Sequence, residues 1–435
     1  MAVYLVCYVT SFILARQHFY MLSGLVLIMA ALWMYYRDYS ASKNMIHLRG
    51  LFCLFFVGGQ GISCFKLSRL QGEWGTETWI CLGLAVIAFW GVFEVLTRLF
   101  DGWSEDDMES VYRFYASAES PFQARRLLQS MVAVVGVSYL AFFFEAWKLG
   151  FIPLFSYGVP HAYSYFHVSG VHYFTVSCVL VPSLSVVYSL MIMRRGRGLT
   201  RDSGFWLAVV CDILALALPV LCVSRFQLIL AVGMAAFTYI SMAGNLRLRV
   251  VMVLAACMVP AYLLLTVMRS HSVEYLNGIF EMKNSRMPIF ITQPYMYIAN
   301  NYDNFNCLVE QLPSYTLGLR MLFPVWALTG LKFLVPSLVS FPLFVTKKEL
   351  TTLTLFYDAY YDFGVIGMVL SGALLGAACY YLVRMRKKLK CPAGHLIYAQ
   401  IAMYMMLSFF TTWFSNPATW FYLAVTGMIY VFVRS

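Results

Sequence analysis

The sequence predicts an all-α polytopic membrane protein, and three observations carry that expectation. Apolar residues fill 61% of the 435 positions and charged ones 12%, with a mean hydropathy of +0.72, a balance that leaves a soluble chain too little polar surface. The apolar residues come in long unbroken runs, and a hydrocarbon core about 30 Å thick takes about 20 such residues per helix. The basic residues fall in short clusters between those runs. Backbone groups left unpaired in lipid cost several kcal/mol each, so the runs must be helices. A β-barrel would show period-two alternation instead.

In chain order we expect about twelve spans: 1–15, 19–36, 51–65, 78–100, 128–148, 171–193, 204–223, 226–244, 250–268, 361–383, 395–412 and 418–433. The first run opens at Met1 with no basic stretch before it and no small-residue cleavage site after it, which reads as a span and not a removable signal. These spans divide the chain into an N-terminal bundle of about nine helices (1–268), a large polar region (269–360) and a C-terminal helical part (361–435). Within the polar region, residues 324–344 are long enough to cross a membrane. Pro324, Pro336 and Pro342 interrupt them, however, and predict a re-entrant or interfacial segment.

Basic residues orient the bundle. Arg194, Arg195, Arg197 and Arg201 follow the sixth expected span, Arg247 and Arg249 the eighth, and Arg384, Arg386, Lys387, Lys388 and Lys390 the tenth. Placed on one side, they make that side cytoplasmic and turn 269–360 outward. The net charge of +11 is then chiefly a topology signal with attraction to membrane lipid behind it, and it does not indicate nucleic acid.

Several chemistries lack a signature. The eleven cysteines lie mostly in apolar runs, as Cys7, Cys53, Cys81, Cys178 and Cys257 do, where they act as small core side chains. No CxxC pair or His/Cys cluster has zinc spacing, so no metal is expected. No GxGxxG or Walker pattern occurs, and no cofactor is expected. The acidic stretch with Glu105, Asp106 and Asp107 reads as a solvated charge run.

Three places concentrate polar groups. The outward segment 151–170 mixes aromatic residues with His161 and His167; interfacial anchoring is its first reading, and stacking against sugar rings its second. Arg225, in LCVSRFQLIL, stands alone at a hairpin between two apolar runs, where it either snorkels or clamps an anionic group with its planar fork. Asp212, thirteen positions earlier, is too far along the helix to pair with it and reads as a packing group. The third place is the stretch 269–362. Arg269 and Arg286 are its candidate anion binders. The run 292–312 carries Tyr295, Asn300, Asn301, Tyr302, Asp303 and Asn304, a density that suits hydroxyl-rich ligands and equally a hydrated surface helix. In TTLTLFYDAYYDFG, Asp358 and Asp362 stand four apart and so share one helix face. There they form a candidate acid/base pair or simply first-turn helix charges.

The order of these parts resembles the bacterial O-antigen polymerase family, the oligosaccharide repeat unit polymerases. The matching pieces are GFIPLFSYG after the fifth span, SRFQLILAVGMAAF with its hairpin arginine, YIANNYDNFNCLVEQ, the proline-broken VPSLVSFP, and TTLTLFYDAYYDFGVIG entering a late span. The likeness covers nearly the whole chain as a topology, through loose motifs. It implies a GT-C-like membrane glycosyltransferase of the bacterial inner membrane, working at the periplasmic face without metal and with inversion. Such an enzyme moves a growing glycan from undecaprenyl pyrophosphate onto a lipid-linked repeat unit, so donor, acceptor and a chain-length regulator protein are the implied partners.

That reaction also implies roles. Arg225, Arg269 and Arg286 would hold the pyrophosphate, and Asp358, Asp362 or Asp303 would act on the acceptor hydroxyl. Tyr295, Asn300, Asn301, Thr352, Thr354, Tyr357 and Tyr361 would position sugars. TTLTLFYDAYYDFG lacks the histidine that the related O-antigen ligases look to carry there, which favours polymerase over ligase. A lipid-linked oligosaccharide flippase or other transporter is the non-enzymatic alternative; it would show inverted repeats and midplane charge.

Overall fold

The computed structural model describes residues 1–100, 121–156, 162–196, 198–244, 252, 273–284, 286–386, 389 and 391–434. Its principal helices are α1 (Ala2–Arg16), α2 (Tyr20–Ser42), α3 (Leu48–Ser63), α4 (Thr76–Phe100), α5 (Pro121–Leu149), α6 (His172–Arg194), α7 (Ser203–Leu221), α8 (Arg225–Ala243), α9 (Val273–Phe280), α10 (Ile289–Gln311), α11 (Phe323–Leu328), α12 (Leu331–Leu334), α13 (Tyr357–Arg386), α14 (Gly394–Met406) and α15 (Pro417–Arg434). No strand forms among the described residues; Ser68 and Met282 make one isolated bridge.

Seven of these helices, α2, α4 to α8 and α13, are long and apolar enough to cross a membrane. Large apolar side chains are exposed along them, among them Met29, Val95, Leu140, Ile213 and Leu374, which requires lipid in place of water. The chain is an all-α membrane protein. The expected span 250–268 and the acidic stretch with Glu105, Asp106 and Asp107 lie outside the described residues, as do Arg269 and His161.

The chain forms two compact units. The first comprises Met1–Asp106, Ser272–Arg384 and Tyr404–Thr419, and the second Asp107–His271, Met385–Met403 and Trp420–Ser435. In the second unit α6 is the central helix. It runs beside α5, α7 and α8, and buried polar pairs tie the elements together. Glu145 of α5 accepts from the Val168 N–H (2.9 Å) and the Thr175 hydroxyl (2.7 Å), and it pairs with His172. Tyr188 donates to Asp202 (2.6 Å), whose carboxylate also caps α7 at the Phe205 N–H. Asp212 is hydrogen-bonded to Ser185.

The first unit is built around α10. Its Tyr302 donates to the Phe56 carbonyl of α3 (2.5 Å), and Phe52, Phe56, Phe89 and Phe356 stack around that contact, with 4.1 Å between the Phe52 and Phe89 ring centroids. α13 crosses α4 at close range. A Cβ at Gly372 would lie 2.6 Å from the Ala85 carbonyl oxygen, and one at Gly376 2.3 Å from that of Phe89. The GxxxG spacing thus lets two backbones meet where any side chain would clash. A second polar lock holds α2, α3 and α4. Buried Arg49 donates to Asp38 through Nε and NH2 and to Glu94 through NH1 (2.9 Å), and its guanidinium lies 4.6 Å from the Phe93 ring centroid.

The segment expected to be re-entrant or interfacial contains two short helices, α11 and α12, then a 3₁₀ turn at Pro336–Leu338 and extended chain. Pro324 sits in the first turn of α11, where proline is tolerated, Gly330 with φ 78° separates α11 from α12, and Pro336 opens the 3₁₀ turn; no helix of the segment is long enough to cross a bilayer.

Candidate active site

The site grows from a break in α13. Gly364 has φ 58° and ψ −140°, a conformation essentially restricted to glycine. It cuts Tyr357–Phe363, two turns bearing Tyr357, Asp358, Tyr361 and Asp362, from the long remainder of the helix. Tyr360 pins this short piece to α4 by donating to Glu77 (2.8 Å).

A loop folds onto the exposed side of the break. Leu317 takes a positive φ of 50° and Gly318 one of 99°, and the chain turns so that its donors converge on Asp362. That carboxylate is fully buried. It accepts from the Thr316 hydroxyl, from the Arg320 N–H (3.2 Å) and from the Met321 N–H (2.7 Å). The backbone adds Thr316 N–H to the Tyr361 carbonyl (3.3 Å) and Leu317 N–H to that of Asp362 (3.1 Å). Asp362 thus works as a staple for the loop, with three hydrogen bonds from it on its two oxygens.

The staple presents Arg320. Its Nε donates to Asp358 Oδ1 (2.7 Å), and its guanidinium lies 4.5 Å from the Tyr361 ring centroid and 5.7 Å from that of Tyr357. The two phenols in turn hold the extended chain after Val339: Tyr357 exchanges hydrogen bonds with the Phe344 backbone (2.9 and 3.0 Å), and Tyr361 donates to the Pro342 carbonyl (3.2 Å). Between these elements lies an open cavity of about 400 Å³. Its lining includes the charged pair Arg320 and Asp358, the hydroxyl and amide side chains of Thr412, Ser415 and Asn416, and apolar residues including Phe323, Leu338 and Phe341. The Thr412–Asn416 segment is a turn braced by Trp413, which stacks on Tyr404 at 4.5 Å and donates to the Leu407 carbonyl (3.1 Å).

No family model, curated protein or solved structure matches this chain. The site is therefore read from its own chemistry.

Of the residues expected from sequence, Asp358 lines this cavity. Asp303 lies buried in α10, where Lys66 (2.6 Å), Gln71 (2.7 Å), Trp74 (2.8 Å) and Ser63 (3.2 Å) all donate to it. Tyr295 donates to Gln71 (2.6 Å) in the same network, and burial raises its phenol above the ordinary tyrosine range. Asn300 accepts from the Thr346 hydroxyl (2.9 Å). Asn301 donates to the Tyr297 and Phe409 carbonyls (2.7 Å each) and accepts from Thr352. The Tyr and Asn density of α10 is thus a buried framework that fastens loops, not a hydrated surface. Thr354 is buried as well, and among the described residues its hydroxyl has no hydrogen-bond partner.

The expected cations are dispersed. Arg225 is buried as the first residue of α8 in the second unit, and Arg286 is exposed after α9 in the first. Among the described residues no three His, Cys, Asp or Glu side chains are grouped to hold a metal. Sequence reasoning passed over Arg320 and the Thr412–Asn416 turn. The signal for Arg320 was present: like Arg225 it is a lone arginine in an apolar setting, here YTLGLRMLFP. The turn has only the Asn416–Pro417 pair as a mark.

Proposed function

We propose that this chain is a membrane glycosyltransferase of about twelve spans that polymerises undecaprenyl-pyrophosphate-linked repeat units into O-antigen or a related surface polysaccharide, at the periplasmic face of the bacterial inner membrane. The observation that supports this reading is the cavity's mixed lining of charged, hydroxyl or amide, and apolar residues. A lipid-linked glycan is an apolar chain, an anionic pyrophosphate and a hydroxyl-rich glycan joined in that order. The apolar residues, Arg320 and the Thr412–Asn416 turn offer a complement to each part.

In this reading Arg320 faces the pyrophosphate. Charge builds on the leaving oxygen as the glycosidic bond breaks, so a pre-placed guanidinium favours the transition state over the ground state. Asp358 is the carboxylate assigned to the acceptor hydroxyl. Asp362 and Tyr361 are positioning residues: the first fastens the loop that carries Arg320, and the second supports its guanidinium from the ring face. Arg225, Arg269 and Arg286 stay as proposed binders of the lipid-linked substrates, with a chain-length regulator as a protein partner.

The test is direct. Purified full-length protein in nanodiscs, given an undecaprenyl-pyrophosphate-linked repeat unit, should yield products of two or more repeats and release the lipid pyrophosphate. Transport of the unchanged unit across a vesicle membrane, without chain growth, would establish the transporter alternative instead.

A further inference from the structure

We propose that Arg320 and Asp358 form an exchangeable pair: the anionic group of the donor takes Arg320 away from Asp358, and the released carboxylate becomes the proton acceptor for the incoming hydroxyl. This deepens the proposed function and rests on it for the identity of the donor. Its basis is how the two residues are held.

An ion pair that fixed the loop could not open without losing the loop. Here the loop is fixed by other bonds. The Arg320 and Met321 N–H groups and the Thr316 hydroxyl are held by Asp362, and two backbone hydrogen bonds secure Thr316 and Leu317. The Arg320 side chain can therefore change partners while its backbone stays in place. Its link to Asp358 is also minimal. The hydrogen bond comes from Nε alone, whereas buried Arg49 spends three nitrogens on its two carboxylates. A phosphate that takes the Nε edge of Arg320 in two parallel hydrogen bonds, from Nε and the adjacent NH2 group, displaces Asp358 from Nε. Both side chains line the same cavity, so an anion entering it meets Arg320 already partly neutralised by Asp358.

The exchange couples the two substrates. While Asp358 is paired with Arg320, its Oδ1 is turned to the guanidinium and not to an incoming hydroxyl. A pyrophosphate on Arg320 releases it. The acceptor oxygen then bonds to the donor's anomeric carbon as the carbon–oxygen bond to the phosphate breaks. The electron pair leaves on the pyrophosphate, where Arg320 holds the charge, and the hydroxyl proton passes to Asp358. Donor binding thus precedes activation of the acceptor.

The test measures binding of inorganic pyrophosphate, with no lipid or sugar attached, to the full-length protein in detergent at low ionic strength. Asp358→Asn keeps the shape and removes the competing charge, so it should bind pyrophosphate roughly tenfold tighter than wild type, while glycan transfer falls. Arg320→Gln should bind at least tenfold more weakly. If Asp358→Asn binds no tighter while Arg320→Gln binds more weakly, the exchange is wrong and the anion site stands. If Arg320→Gln binds as wild type does, Arg320 is not the anion site, and the proposed function loses its main support. Thermal unfolding of both variants checks that the fold is kept.

Discussion

Replacing Asp362 by alanine should detach the loop that carries Arg320. The substitution removes a buried acceptor that serves one hydroxyl and two backbone N–H groups. A buried donor left without a partner costs about 1–3 kcal/mol. The Thr316 hydroxyl can rotate toward another acceptor, so the two N–H groups dominate; with each near the middle of that range they cost about 3–4 kcal/mol together. The loop can escape that cost by opening to water. The loss should therefore appear as local opening, which 3–4 kcal/mol makes about 100- to 1,000-fold more frequent at 1.4 kcal/mol per tenfold. Limited trypsin digestion of the protein in detergent reads this directly, because opening exposes the bond after Arg320. Asp362→Ala should be cut there about two to three orders of magnitude faster than wild type. It should also lose pyrophosphate binding although Arg320 is intact. Cleavage within threefold of wild type, with binding retained, would refute the staple.

Two further outcomes follow from groups outside the cavity. Arg49→Met removes the partner shared by two buried carboxylates; Glu94 keeps Arg98 and Arg37, so Asp38, left with His47, bears most of the loss. That loss should reach about 3 kcal/mol, seen as a lower thermal midpoint in detergent; adding Asp38→Asn should restore much of it. A single variant as stable as wild type would show that the cluster is not a lock. Cys307 in α10 is half-buried, and burial, with Asp303 and Glu310 nearby, pushes its thiol up to about 11. Thiolate is the reactive form, so its alkylation rate should still be rising tenfold per pH unit at pH 9.5. A plateau by pH 9 would contradict the burial.

The spans were legible because their signal is physical and local. An apolar run of 18 residues or more has few alternatives, and seven helices fall on the expected spans two, four to eight and ten. The prolines at 324, 336 and 342 likewise marked a broken segment. The polar residues were harder to read, because sequence shows what a side chain can bond to and not what surrounds it. Asn300, Asn301 and Asp303 have the composition of a sugar site, yet Asn300 bonds the Asn304 and Thr346 side chains, Asn301 the Tyr297 and Phe409 carbonyls, and Asp303 pairs with Lys66. Asp358 and Asp362 share a helix face as their spacing implied. They differ in environment, since one lines the cavity and the other is sealed under the loop. That difference depends on Leu317 and Gly318 turning the chain back onto Gly364, a tertiary contact between residues almost fifty positions apart. Arg320 acquires its place through the same turn; its apolar neighbours mark it in sequence, whereas its partner Asp358 is set by the fold.

The most direct test of the central claim is made in cells. In a strain lacking the native gene, wild type or Arg320→Gln is expressed at matched membrane levels, and surface glycan is resolved by length on gels. We expect wild type to restore the ladder and Arg320→Gln to leave single-repeat caps without it. A full ladder from Arg320→Gln would contradict the assignment of this cavity to polymerisation.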